Sequence, residues 1–342
     1  MIKAVVAIAG STAAVCAPAA WANTYVLGGT GQDGAPTQAQ MQWLVTDGYV
    51  APDTLIGIDY PADLWPVTGP LTLDKSVTQG TDSLDEVLQG VTPETSTPTT
   101  VVGISQGAVV INYEKRRAAA SDPNDDITFV TLGDPTNSDG GLLAKLPPVH
   151  IPILDFTFTQ EPVATPHDTI EVVREYDGFA DWPDRPFNVL ADLNALAGTI
   201  YVHPYYAGID LHDEDNVVTQ STNTAGGTTT HILVKTDHLP ITQPLRDVGV
   251  NDEVVDAIDK PLRKVINVAY DGERPGRPAS AQPLNNVKAA SNASRAGSGV
   301  RSVLKQIGSN LKKLGDKPHR QPQQDSGNDG QTGDPSADAA AD

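Results

Sequence analysis

Thr99-Thr100-Val101-Val102 runs directly into Gly103-Ile104-Ser105-Gln106-Gly107, and the apolar stretch Ala108-Val109-Val110 follows without a break. This order leaves little local choice: a β-branched strand, a sharp turn, a helix. Small residues are needed two positions before and after the serine, where strand and helix crowd together, and Gly103 and Gly107 supply them. The serine is then held at a strained backbone angle with its hydroxyl exposed. The turn also sets the Gln106 backbone N–H and the helix N-terminus near any oxygen that gains charge when Ser105 attacks a carbonyl. The pattern is a nucleophile elbow, and Ser105 is the candidate nucleophile.

The segments around it alternate between strand and helix. Strands are expected at 24–27, 54–59, 127–132 and 169–176, with helices at 36–46, 73–88 and 106–120 and a Pro/Thr-rich linker at 92–98 before the elbow. The strands are apolar throughout, which predicts a mostly parallel sheet with both faces covered, the α/β class. A helix over 187–197 carries Val189, Leu190, Leu193 and Leu196 and is closed by Gly198. A β-hairpin is expected from 219–224 and 228–234, then helices at 241–247 and 252–268. Segment 140–168 is proline-rich yet apolar, and reads equally as a cap over a greasy site or as a loop pinned on the core.

The loop after the first strand, Gly28-Gly29-Thr30-Gly31-Gln32-Asp33-Gly34, demands close backbone approach. Gly29, Gly31 and Gly34 match the spacing of a dinucleotide fingerprint, but a downstream elbow favours the second half of an oxyanion hole, with the Thr30 N–H as donor. Asp134, after the 127–132 strand, either faces the pocket or forms a turn before Pro135, and the turn is the commoner case. His150 and His167 have no partner nearby in sequence at ligand spacing, so no metal and no cofactor is expected.

A net charge of −20 over 342 residues argues against a nucleic-acid partner and suits an uncharged acyl ester or lipid. Residues 1–22 hold one early lysine, an apolar run and the exit Ala20-Trp21-Ala22, the features of a secretory signal peptide; the alternative is an uncleaved anchor. Cys16, the single cysteine, lies inside it, so no disulfide is expected in the exported chain. The folded domain is expected over 23–271, acting as a monomer. A polar tail over 272–342 contains a basic amphipathic stretch at 300–314 suited to peripheral contact with an anionic envelope, or to a solvated helix.

A serine hydroxyl needs a base, and the base a carboxylate, in the chain order Ser, Asp or Glu, His. His238 follows the final expected strand and precedes Leu239-Pro240, which marks it over His203, His212 and His231. Asp181, deep in the loop after the 169–176 strand, is favoured as the acid over Asp177, which reads as a turn-former at the strand end.

At these residues the chain resembles the PE-PPE domain family of mycobacterial serine hydrolases, relatives of the cutinase-like esterases, and this resemblance implies the α/β-hydrolase fold. The matching segments are Gly28-Gly29-Thr30-Gly31, Gly103-Ile104-Ser105-Gln106-Gly107-Ala108, Tyr176-Asp177-Gly178-Phe179-Ala180-Asp181-Trp182-Pro183, and His238-Leu239-Pro240 with Pro244-Leu245-Arg246. The resemblance implies an esterase or lipase with Ser105, Asp181 and His238 as triad, or an acyltransferase acting on envelope glycolipids. A catalytically inactive lipid-binding protein on the same fold is the alternative from another class. Family members often carry an N-terminal PE or PPE module where this chain has its apolar leader.

Overall fold

The computed structural model describes residues 23–44, 55–89, 99–121, 127–161, 164–185, 187–272 and 274. The expected signal peptide, the 92–98 linker and the 300–314 stretch lie outside the described residues. In chain order the elements are β1 (Asn23–Leu27), α1 (Gln38–Leu44), β2 (Leu55–Gly57), α2 (Leu73–Gln89), β3 (Thr99–Ile104), α3 (Gln106–Ser121) and β4 (Ile127–Leu132). Then come β5 (His150–Ile151), β6 (Phe156–Thr157), β7 (Asp168–Arg174), α4 (Val189–Tyr201), β8 (Val217–Thr222), β9 (Thr228–Val234), α5 (Gln243–Asp247) and α6 (Asp252–Ile266).

Seven strands form one sheet in the order β2-β1-β3-β4-β7-β9-β8, parallel except for the β8–β9 hairpin. This is the expected α/β-hydrolase class. Alternate strand residues feed two apolar layers. Tyr25, Leu27, Val101 and Phe129 pack with Val77 and Leu84 of α2 and Val109 to Ile111 of α3. Val26, Val102, Val130 and Val172 pack with Met41 and Leu44 of α1 and with Tyr206 and Leu211. Strand order reverses between β1 and β3, so the glycine loop after β1 and the elbow after β3 meet at the topological switch point, where open α/β sheets bind ligands.

Segment 140–168 forms the small β5–β6 hairpin, clasped to α2. Asp74 accepts from the Thr157 N–H at 2.9 Å and the Thr157 hydroxyl at 2.5 Å, and Thr72 Oγ1 donates to Asp155 at 2.7 Å. Of the two sequence readings, these contacts are those of the pinned loop. His150 gains acidic neighbours that its sequence surroundings concealed: its Nδ1 lies 3.2 Å from Asp74 Oδ2 and its Nε2 3.8 Å from Asp155 Oδ1. Asp134 takes the turn role, accepting from the N–H and hydroxyl of Thr136 and from Asn112 of α3.

Helix α4 departs from the sequence reading in two ways. It runs through Gly198 for another turn, to Tyr201. Its packed face is also the small one: Ala191, Ala195 and Gly198 are buried while Val189, Leu193, Leu196 and Ile200 are exposed. The cause is proximity. A Cβ on Gly178 would lie 2.1 Å from the Ala195 carbonyl oxygen, and one on Gly198 only 1.9 Å from that of Tyr176. Large side chains cannot occupy a seam that close.

The folded unit also runs past the expected boundary at 271. Arg274 is buried, stacks on Tyr270 at 4.1 Å, and donates to both oxygens of Asp181.

A polar pair bridges the neighbouring strands β7 and β9, where His231 Nδ1 meets Glu171 Oε2 at 2.8 Å. Burial pushes the His231 pKa down, but the hydrogen bond and charge of Glu171 outweigh it and raise it to about 9. A histidine pKa raised on folding stabilises fully below its unfolded value near 6.5, and the gain is lost as pH rises through about 9. Burial likewise pushes the Glu171 carboxyl up, to about 7, so both members of the pair take up protons on folding, and the difference in Tm between wild type and the His231→Gln/Glu171→Gln double variant is expected to shrink as pH rises from 6 toward 10. Thermal melts across that range check it.

Candidate functional site

Ser105 sits at the junction of β3 and α3 with φ +53°, a left-handed conformation that a non-glycine residue rarely holds without surrounding constraint. The constraint is visible. The Ser105 N–H donates to the Leu132 carbonyl at 2.9 Å, and a Cβ on Gly103 would fall 2.6 Å from the Gly107 carbonyl. On the other side, a Cβ on Gly107 would fall 2.8 Å from the carbonyls of Leu27 and Gly28. Both glycines are therefore required by close backbone approach, as the pattern predicted.

The loop after β1 lies against the elbow. A Cβ on Gly29 would touch the Ser105 Cβ at 3.4 Å, and the Tyr60 hydroxyl holds the Gly28 carbonyl at 2.5 Å. The Gln106 side chain bolts the corner together, with its Nε2 donating to Asp63 O at 2.8 Å and to Thr30 Oγ1 at 3.2 Å. Its Oε1 accepts from the Ser76 hydroxyl at 2.9 Å. Thr30 and Gln106 are thus brought together beside Ser105. As the first residue of α3, Gln106 has a backbone N–H with no acceptor inside the helix.

The imidazole beside the serine is that of His203, not of His238. His203 Nε2 lies 2.8 Å from Ser105 Oγ, and its Nδ1 lies 2.8 Å from Asp177 Oδ2 and 2.9 Å from Oδ1. Nδ1 against a carboxylate must carry the proton, which leaves Nε2 as the acceptor for the serine hydroxyl. Asp177 is fully buried and also accepts from the N–H groups of Phe179 and Ala180 at 2.8 and 3.1 Å. The turn that the sequence assigned to Asp177 is real, and it aims the carboxylate at the imidazole. Phe179 from the same loop lies over the His203 ring, centroid to centroid 4.6 Å.

The two favoured partners are engaged elsewhere. Asp181 is paired with Arg274, at 2.7 and 2.6 Å, and accepts from the Tyr176 N–H at 2.6 Å, so both its oxygens are spent on structure. His238 follows β9, three strand spacings or about 14 Å from β3. Its half-exposed ring lies 3.4 Å from Asp256 Oδ1. His203 instead returns toward β3 at the end of α4, which crosses behind the acid loop along the Gly178–Gly198 seam. The expected chain order of Ser, Asp and His survives, with a helix end rather than a post-strand loop carrying the histidine. The sequence signal that could have found it is the glycine pair itself, Gly178 after the acid and Gly198 five residues before the base.

A profile of the PE-PPE domain matches residues 51–271. The chain is similar to several curated proteins, including three from Mycobacterium tuberculosis strain ATCC 25618 / H37Rv. It is 36% identical to "Esterase PE16" over 72% of this chain and 48% of that protein. It is also similar to "SL1278 acyltransferase Chp1", 37% identical over 68% of this chain and 57% of that one. "Diacyltrehalose acyltransferase Chp2" is 37% identical over 67% of this chain and 70% of that protein. The match thus spans about half the length of the first two relatives.

Proposed function

From the premise that the chain belongs to the PE-PPE domain family, we propose that it is a serine ester hydrolase that forms an acyl-enzyme on Ser105, with His203 as base and Asp177 as its carboxylate partner. The observation that carries this reading is the continuous Ser105–His203–Asp177 hydrogen-bond chain, each link 2.8 Å. The relatives' names, one esterase and two acyltransferases, support ester chemistry at that serine.

Ser105 Oγ attacks the ester carbonyl carbon as His203 Nε2 takes its proton, and the carbonyl oxygen becomes an oxyanion facing the Gln106 and Thr30 N–H groups. Asp177 holds the imidazole in one tautomer and stabilises the imidazolium. Collapse of the tetrahedral adduct expels the alcohol, which leaves with the proton from Nε2. Water then attacks the acyl-serine with the same base, releasing the free acid and restoring the hydroxyl. The exposed row Val189, Leu193, Leu196 and Ile200, on the helix that ends just before His203, supports a lipid-like substrate. Export through the 1–22 leader completes the proposal, with substrate met at the envelope or beyond it.

Transfer of the acyl group to a carbohydrate hydroxyl is the second reading, favoured by the two acyltransferase relatives. Turnover of a p-nitrophenyl ester series with and without a sugar acceptor separates the two: hydrolysis releases free acid at a rate no acceptor changes, and transfer yields an acyl-sugar. A fluorophosphonate probe is expected to label wild type but not Ser105→Ala. Absence of labelling in wild type would favour the inactive lipid-binding alternative.

A further inference from the structure

The Asp177 carboxylate receives one more hydrogen bond than the proposed reaction needs. Besides His203 and the two loop N–H groups, its Oδ2 accepts from the Tyr206 hydroxyl at 2.6 Å. Tyr206 is fully buried and lies three residues after the base, its ring 6.4 Å from the His203 ring in an edge-on arrangement.

The direction of this bond is fixed by its surroundings. The Arg174 N–H, at the end of β7, donates to the Tyr206 oxygen at 3.0 Å, so the phenol's own proton is directed at Asp177. Arg174 Nη1 also holds the Tyr205 carbonyl at 2.6 Å, so the segment carrying base and phenol is tied to the strand that carries the acid. Space for the ring is reserved by Gly133, at φ +60°, where a Cβ would come within 3.0 Å of the Tyr206 ring. Burial, followed by the charge of Asp177, pushes the Tyr206 pKa well above its usual value, which keeps the phenol a donor at every working pH.

We propose that Tyr206 is a positioning residue for this site: by donating to Asp177 Oδ2 it fixes the carboxylate plane against His203, so that the carboxylate stays aligned with Nδ1–H while Nε2 faces the serine. The proposal rests on the triad reading above. Asp177 and Tyr206 are the titratable groups seen facing the imidazole among the described residues, along with the Ser105 hydroxyl; Arg174 acts on the adjoining backbone.

Tyr206→Phe keeps the ring and removes only the donor. In the full-length chain, kcat/KM for a short p-nitrophenyl ester is expected to fall about tenfold to a hundredfold, the range for a hydrogen bond to a charged group. KM should stay within about twofold and the Tm close to wild type. The rate of fluorophosphonate labelling at Ser105 should fall by a similar factor, because that step needs the same aligned base.

His203→Gln is measured beside it. If His203→Gln is inactive while Tyr206→Phe keeps wild-type kcat/KM and labelling rate, the triad stands and the role given to Tyr206 falls. A lowered Tm with an unchanged labelling rate would also overturn it, as a purely structural effect. If His203→Gln retains wild-type activity, the triad reading falls and the Tyr206 proposal with it.

Discussion

His203→Ala is expected to lower kcat/KM on a p-nitrophenyl ester by roughly five orders of magnitude, while His238→Ala stays within about twofold of wild type. The contrast follows from distance and partners alone. His203 has the serine hydroxyl on one ring nitrogen and a buried carboxylate on the other, each at 2.8 Å. His238 lies 3.4 Å from Asp256, in a half-exposed position beside α6. Removing the imidazole leaves Ser105 protonated and unable to attack, so the loss should appear in kcat and not in KM. The measurement is a steady-state assay of both variants together with their fluorophosphonate labelling rates. Equal loss in both variants, or loss only in His238→Ala, would require a different base.

Gly198→Ala should also be damaging, by another route. The added methyl would sit 1.9 Å from the Tyr176 carbonyl, about half a normal contact distance, so helix and acid loop must part. Overpacking of this kind costs about 3 kcal/mol or more, roughly 6–10 °C in Tm for a domain of this size. Because the helix ends just before His203, the shift should also move the imidazole, and a displacement near 1 Å costs about a hundredfold in rate. Leu193→Ala on the same helix is the control: the side chain is half exposed, so the change should stay within about 0.5 kcal/mol. On α4, therefore, enlarging a glycine is expected to harm and truncating a leucine is not, the reverse of an ordinary amphipathic helix. Thermal melts of the two variants test this.

Much of the fold and half of the site were legible in the chain. The elbow, the glycine loop beside it, the parallel strands and the β8–β9 hairpin are set by short-range requirements that residue types reveal: positive φ, close backbone approach, apolar strands, turn chemistry. The acid and base were harder because the features that decide them are long-range. Asp181 looks free until Arg274, 93 residues later, is found bound to it. Asp177 reads as a turn-former, which it is, and nothing in the sequence says that the turn also points a carboxylate. Gly198 carries two meanings, a helix stop or a close contact, and only the neighbouring backbone selects the second. The large residues of α4 mislead for the same reason, since periodicity marks an apolar face without saying whether anything covers it.

The rigid link between acid and base is a count of residues. Each residue added to or removed from α4 would rotate its far end by about 100° and move it by about 1.5 Å, so a single insertion there would swing the imidazole away from its carboxylate even in a fully folded protein. The turn between α5 and α6, open around Gly249, imposes no such phase. Lineages descended from a common ancestor of this chain should therefore vary in length freely at that turn and hardly at all between positions 189 and 203.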